Sequence, residues 1–174
     1  LIAHGNEAMP TDQQSQYIGL CEARRNGRPL AYLVGRREFY SRSFQITPDV
    51  LIPRAESEVL VRLALDLTPE RARVLELGTG SGALAITLAL ERPDITISGS
   101  DLSAAALALA ASNARALAAD ITWCLGDWFQ AVDPGYRFEL ILTNPPYIAA
   151  DFEDDLLAIC HVGFAQFHSV QHSE

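Results

Sequence analysis

The stretch RVLELGTGSGALAITLALERPD, Arg73 to Asp94, decides the fold. Arg73–Leu77 is a short, largely apolar run. Gly78, Gly80 and Gly82 follow it as GxGxG, and Ala83–Glu91 is then apolar until Pro93 stops it. A strand, a glycine-rich turn and a helix in that order open a βα unit. The alternation continues downstream. ITISG (95–99), ITWCL (121–125) and FELILT (138–143) read as strands, and Ser103 to Ala118 reads as an Ala-rich helix between them. Alanine is the best helix former and small enough to let a helix lie close to a sheet. Strands alternating with helices give a parallel sheet covered on both faces. The expected fold class is therefore α/β, a Rossmann-like open sheet of about four strands with helices on both faces.

Upstream, residues 11–26 predict a helix. Thr11 or Asp12 can cap it, Tyr17, Leu20 and Cys21 form a narrow apolar face, and Asn26-Gly27 ends it. The segment PLAYLVGRREFYSRSFQITPDVLIPR (29–54) alternates apolar and polar residues, is rich in aromatic and β-branched types, and reads as a hairpin-like β stretch. After Pro53, the spacing of Val59, Leu60, Leu63 and Leu67 predicts a second helix over Ala55 to Leu67.

The 174 residues suffice for one ordinary domain with a real core, and 49% apolar with 20% charged residues is a globular balance. No apolar run reaches the roughly 18 residues of a membrane span, and no signal peptide opens the chain. Cys21, Cys124 and Cys160 are odd in number and scattered, which fits a reducing, cytoplasmic setting and neither a disulfide framework nor a zinc cage. The net charge of −9 disfavours a long grip on nucleic-acid phosphates. Arg24, Arg25, Arg28, Arg36 and Arg37 form a local basic run that reads most simply as a solvated helix end and turn. His161, His168 and His172 with Cys160 match no standard ligand spacing, so no metal is expected.

The strand ends carry the chemistry. Gly78, Thr79, Gly80, Ser81 and Gly82 form a turn that lets a ligand approach the backbone closely. Glu76, just before it, would repel a pyrophosphate and suits a ligand with a cationic amino group. Asp101 ends the next strand about 20 residues on, where a carboxylate can accept both hydroxyls of a ribose. Ribose without pyrophosphate, plus a cationic amino-acid end, describes S-adenosylmethionine better than NAD. Asp127 and Trp128, in GDWF, stand where an adenine amino group and an adenine face could lie; taken singly, Asp127 equally suits a turn or helix cap and Trp128 a core position. The last strand runs into Asn144-Pro145-Pro146-Tyr147. Two prolines cannot continue a strand, so they make a stiff corner. The Asn144 side-chain carbonyl and the Pro145 backbone carbonyl can accept both N–H groups of a planar amine, and the Tyr147 ring can cover its face.

Taken with the glycine turn, Asn-Pro-Pro-Tyr resembles the signature of amino-group methyltransferases acting on DNA adenine or protein glutamine. The segments AYLVGRREFY and LIPRAESE narrow the resemblance, over residues 1 to about 150, to the HemK-type release factor glutamine methyltransferases, which are class I enzymes. The resemblance implies S-adenosylmethionine as cofactor, held by Gly78 to Gly82, Asp101, Asp127, Trp128 and Asn144. It implies Asn144 to Tyr147 as the acceptor site, with Asn144 and Pro145 catalytic, and peptide chain release factors, methylated at the glutamine of Gly-Gly-Gln, as partners. Alternatives are a ribosomal-protein glutamine or DNA adenine as acceptor, or a remnant that at most binds cofactor. The family's sheet has seven strands, of which four are recognised in this chain, and the family's helical N-terminal domain is mostly missing. The expected division is 1–52 as the remainder of that domain plus the hairpin, 53–150 as a partial methyltransferase domain and 151–174 as an atypical tail. On that reading the chain is a truncated member with little turnover that self-associates through its last strand.

Overall fold

The computed structural model describes residues 10–144. Helix α1 (Thr11–Arg25) and a single-turn helix α2 (Leu30–Val34) lead into an antiparallel hairpin of β1 (Arg36–Phe39) and β2 (Arg42–Gln45). A 3-10 turn (Ala55–Ser57) opens α3 (Glu58–Leu67). Then follow β3 (Arg73–Leu77), α4 (Ala83–Glu91), β4 (Thr96–Asp101), α5 (Ala104–Leu117), β5 (Thr122–Leu125), a second 3-10 turn (Trp128–Ala131) and β6 (Leu140–Thr143).

The parallel sheet has the order β5-β4-β3-β6. Chain order moves outward from β3 to β5 and then returns, so β6 lies on the other side of β3, with Leu75 opposite Ile141 and Leu77 opposite Thr143. Such a reversal opens a crevice beyond the carboxyl ends of β3 and β6, where the strand order switches side. The free side of β6 has no strand partner among the described residues.

The period of two along β3 sends Val74 and Glu76 to one face and Leu75 and Leu77 to the other. On the first face Val74, Ile97 and Leu142 pack against α3 and α4 through Val61, Ala64, Ile86 and Leu88, together with Phe39, Phe44, Ile46 and Val50 from the hairpin region. The hairpin thus shares its core with the sheet. On the second face Leu75, Leu77 and Ile141 pack with Val132 and Phe138. Ion pairs line the amino edge of the sheet: Arg73 Nη2 lies 2.7 Å from Glu139 Oε1, and Arg92 Nε lies 2.7 Å from Asp94 Oδ1.

One element corrects the sequence reading. Residues 30–34, expected to be extended, form α2, because Pro29 at its N-cap presets the entry and Gly35 closes it at φ 70. The β pairing starts only at Arg36.

At Gly99 of β4, a Cβ would stand 2.5 Å from Cζ3 of Trp123 on the neighbouring strand. The indole ring covers that backbone, and a methyl group cannot enter without moving a strand or the ring. Gly99→Ala is expected to destabilise the fold by about 1–3 kcal/mol, read from a denaturant midpoint. An unchanged midpoint would show that the ring yields freely.

Candidate active site

The glycine turn after β3 is held from three sides. Thr79 N donates to Ser100 O at 2.9 Å, which ties the turn to β4. Gly80 N donates to Asp101 Oδ2 at 2.8 Å, and the other oxygen of that carboxylate, Oδ1, accepts from Ser103 N at 2.9 Å. From beneath, Glu76 Oε2 accepts from Thr79 Oγ1 at 2.6 Å and from Ala85 N at 3.0 Å. Gly78 and Gly80 have φ of 71 and 55, and a Cβ at either would meet no atom within 4 Å. Packing does not demand glycine there. The left-handed backbone and the open space above it do.

That open space is a cavity of about 360 Å³ lined by Gly78, Gly80, Asp101, Asp127, Trp128 and Asn144. These six come from the ends of all four parallel strands, and sequence reasoning had singled out each of them. Trp128 adopts φ 45, a left-handed conformation strained for a large side chain, and the residue is 52% exposed at the rim. Strain of this kind persists where surrounding structure enforces it, commonly at ligand sites. Asn144, at the end of β6, donates from Nδ2 to Ser57 Oγ at 2.9 Å.

Thr79, Ser81 and Gly82 stand behind this wall and do not line it. Thr79 is bonded to Glu76. Ser81 is buried, and its carbonyl accepts from Asn113 Nδ2 at 2.9 Å. Gly82 lies against Ile86, Ala110 and Trp123. Pro145, Pro146 and Tyr147, with the expected tail and its histidines, lie outside the described residues.

Glu76 also departs from the sequence reading. Its carboxyl does not face the cavity; it is 2% exposed and closes the start of α4 through Ala85 N. Burial raises its pKa to about 7 from an ordinary 4.5, against the lowering effect of the Thr79 and Ala85 hydrogen bonds. Between those values Glu76 keeps in the folded chain a proton that it has released in the unfolded chain, so its contribution to stability falls as pH rises from about 4.5 to 7 and is level above. Glu76→Gln is expected to flatten the profile by at most about 1.4 kcal/mol per pH unit in that window, measured by denaturant unfolding at several pH values. Parallel profiles for the two proteins would contradict the assignment.

Sequence reasoning missed one wall. Asp49, Val50 and Leu51, after the hairpin, line the cavity with Leu102 and Thr143. The Tyr32 hydroxyl donates to Val50 O at 2.8 Å and holds this segment down. Asn113 fixes its root: Gln45 N donates to Asn113 Oδ1 at 2.8 Å, and Asn113 Nδ2 donates to Gln45 O at 3.1 Å. The same side chain also holds Ser81, so one buried amide braces both the glycine turn and the hairpin. The only local signal was the pair Pro48 and Pro53 bracketing the segment.

The methyltransferase small domain family matches residues 55–161, more than half of the chain and the whole run from the 3-10 turn through β6. The chain belongs to that family. The PrmC N-terminal domain matches residues 1–35. The release factor glutamine methyltransferase of Neisseria gonorrhoeae is 47% identical over 149 residues, covering 85% of this chain and 55% of its own length. The enzyme of the same name from Escherichia coli is 43% identical over 150 residues, covering 85% and 54%. This chain spans about half the length of the curated relatives it matches. Among solved structures, the 16S rRNA N2 G1207 methyltransferase of T. thermophilus, in complex with AdoMet and guanosine, is similar with a TM-score of 0.55 and 26% identity. That likeness covers 66% of this chain and 33% of the other. The small domain with its α/β sheet and the cavity at its switch point is thus a methyltransferase scaffold. Among the described residues no helix is long and apolar enough to cross a membrane.

Proposed function

We propose that this chain binds S-adenosylmethionine and serves methylation of the glutamine side-chain amide in the Gly-Gly-Gln motif of peptide chain release factors, in the cytoplasm. One observation carries the reading: Asn144, at the end of β6, lines the same cavity as the glycine turn and Asp101. The cavity fits the cofactor. Asp101 and Asp127 offer carboxylate oxygens for hydroxyl and amino groups, Trp128 offers an apolar face, and the open backbone at Gly78 and Gly80 admits an amino-acid chain. When bound there, S-adenosylmethionine supplies an electrophilic sulfonium methyl group.

The chain's own work is positioning. An amide nitrogen is a poor nucleophile because its lone pair is delocalised into the carbonyl. The Asn144 side-chain carbonyl accepts one N–H of the acceptor, and the Pro145 backbone carbonyl accepts the other, which aims the nitrogen lone pair. Pro145 and Pro146 keep those oxygens in place at little entropic cost, and Tyr147 covers the flat face of the acceptor amide. No strong base is needed before transfer, since the alkylated nitrogen becomes acidic and sheds its proton to water. The names of the matched relatives favour glutamine as the acceptor. Any planar amine presents the same two N–H groups, and the similar T. thermophilus enzyme acts on one, a guanine N2. The net charge of −9 weighs against a duplex DNA acceptor.

The test is transfer of labelled methyl from S-adenosylmethionine to a purified release factor, to the same factor with its Gly-Gly-Gln glutamine replaced, to a ribosomal protein and to adenine-bearing DNA. Label in the unaltered release factor alone is expected. Label in DNA, or in the altered factor equally, would contradict the acceptor assignment.

A further inference from the structure

Ser57 occupies the N-cap position of α3. A serine there ordinarily turns its oxygen onto the free N–H groups of the first helical turn. Ser57 does not. Its backbone is helical, at φ −68 and ψ −14, and its side chain caps nothing. Yet the residue is only 2% exposed, so the hydroxyl needs a partner within the protein. That partner is 87 positions along the chain: the Nδ2 of Asn144, 2.9 Å from Ser57 Oγ. No hydrogen bond to Asn144 Oδ1 is made among the described residues.

We infer that Ser57 is a positioning residue for methyl transfer, holding the amino end of the Asn144 amide against α3 so that its carbonyl end faces the acceptor. The inference rests on the reading of Asn144 as the residue that aligns the acceptor amine. A primary amide turned by half a rotation exchanges a donor for an acceptor in nearly the same volume. Facing an incoming amine, the two ends are opposites. The carbonyl accepts an acceptor N–H, whereas the amino end sets donor against donor. A buried hydroxyl oxygen on the α3 side gives the Asn144 N–H group an acceptor there and leaves Oδ1 free for the substrate. With alanine at 57 the N–H group loses its buried acceptor, and the amide is no longer held in the productive sense.

The preceding 3-10 turn meets the first N–H of α3, with Glu58 N donating to Ala55 O, so the Ser57 hydroxyl is left available for Asn144. Ser57 sits on a 3-10 turn rooted by its own N–H, which donates to Arg54 O at 3.0 Å, and α3 is packed on the core through Leu60, Val61 and Ala64. Asn144 precedes two prolines that contribute no backbone N–H to hold the corner. The rigid anchor is therefore supplied from the other element.

The experiment uses the full 174-residue chain with Ser57→Ala, Ser57→Thr and Asn144→Ala, alone and combined, and reads kcat, cofactor Kd and the side-chain amide signals of Asn144 by NMR. Ser57→Ala is expected to lower kcat about 10–100-fold, the usual cost of a small misplacement, with cofactor Kd within about twofold. Ser57→Thr, which keeps the hydroxyl, should restore most of the loss. In the Asn144→Ala background, Ser57→Ala should add nothing. The Asn144 side-chain protons should exchange with solvent faster in Ser57→Ala than in the parent chain, a readout that holds at any level of turnover. Slow exchange and full turnover in Ser57→Ala would overturn the inference, as would an equal loss in both backgrounds. Full activity of Asn144→Ala would instead remove the role of Asn144 itself. Should the alanine variant fail to fold, Ser57→Cys, nearly the same size but a weak acceptor, takes its place with the same expectations.

Discussion

Asn144→Ala is expected to lower turnover roughly 10²–10³-fold while cofactor affinity changes by no more than a few-fold, because a preorganised polar contact is worth most where the reacting group must be oriented. The substitution leaves the glycine turn and the Asp101 carboxylate intact, since neither is bonded to Asn144. The alanine side chain offers no acceptor for the amide N–H, so the acceptor nitrogen enters the cavity with its lone pair still conjugated and unaimed. Single-turnover rates measured beside calorimetric Kd values separate the two effects. Equal losses in rate and in cofactor affinity would make Asn144 chiefly a cofactor or framework residue.

Asp101→Ala is expected to act on the other quantity, weakening S-adenosylmethionine binding by about 1.5–3 kcal/mol, the usual worth of hydrogen bonds to a charged group. Two losses combine. The cavity loses a carboxylate able to accept from hydroxyls, and the glycine turn loses its hold, because Gly80 N and Ser103 N both donate to this side chain. Asp101→Asn separates them only in part. The amide oxygen can still serve Ser103 N, but its N–H end would then face the N–H of Gly80. Asparagine is therefore expected to fall close to alanine, despite its shape. Calorimetry on the three proteins gives the answer, and unchanged affinity in both variants would remove Asp101 from the site.

The sequence was most legible where chain punctuation and packing agree. Helix α4 begins and ends at the residues expected, because the glycine turn and Pro93 bound it on both sides. The Ala-rich helix exists as α5 since Ala106, Ala110 and Ala114 lie buried on its inner face. Strand β4 runs on to Asp101, two residues past the expected Gly99, because pairing with β3 and β5 overrides the local weakness of glycine. Legibility failed where the deciding partner is remote. Alternation in residues 29–34 resembled a strand, yet Pro29 and Gly35 turn them into one helical turn. Glu76 was read towards the ligand from its place beside the turn, whereas the pleat sends it to the buried face under α4. Asp49 to Leu51 form a cavity wall only because Asn113 and Tyr32 hold the segment from elsewhere in the chain. Strand ends and glycines carry local signals for a site; the residues that brace it carry none.

The cavity over the ends of β3, β4, β5 and β6 is proposed as a site for S-adenosylmethionine and not for a dinucleotide. Isothermal titration of the 174-residue chain with S-adenosylmethionine and, separately, with NAD tests it most directly. The geometry predicts saturable one-to-one binding of S-adenosylmethionine, lost or strongly weakened in Asp101→Ala, and no heat from NAD. Saturable NAD binding with no response to S-adenosylmethionine would contradict the account.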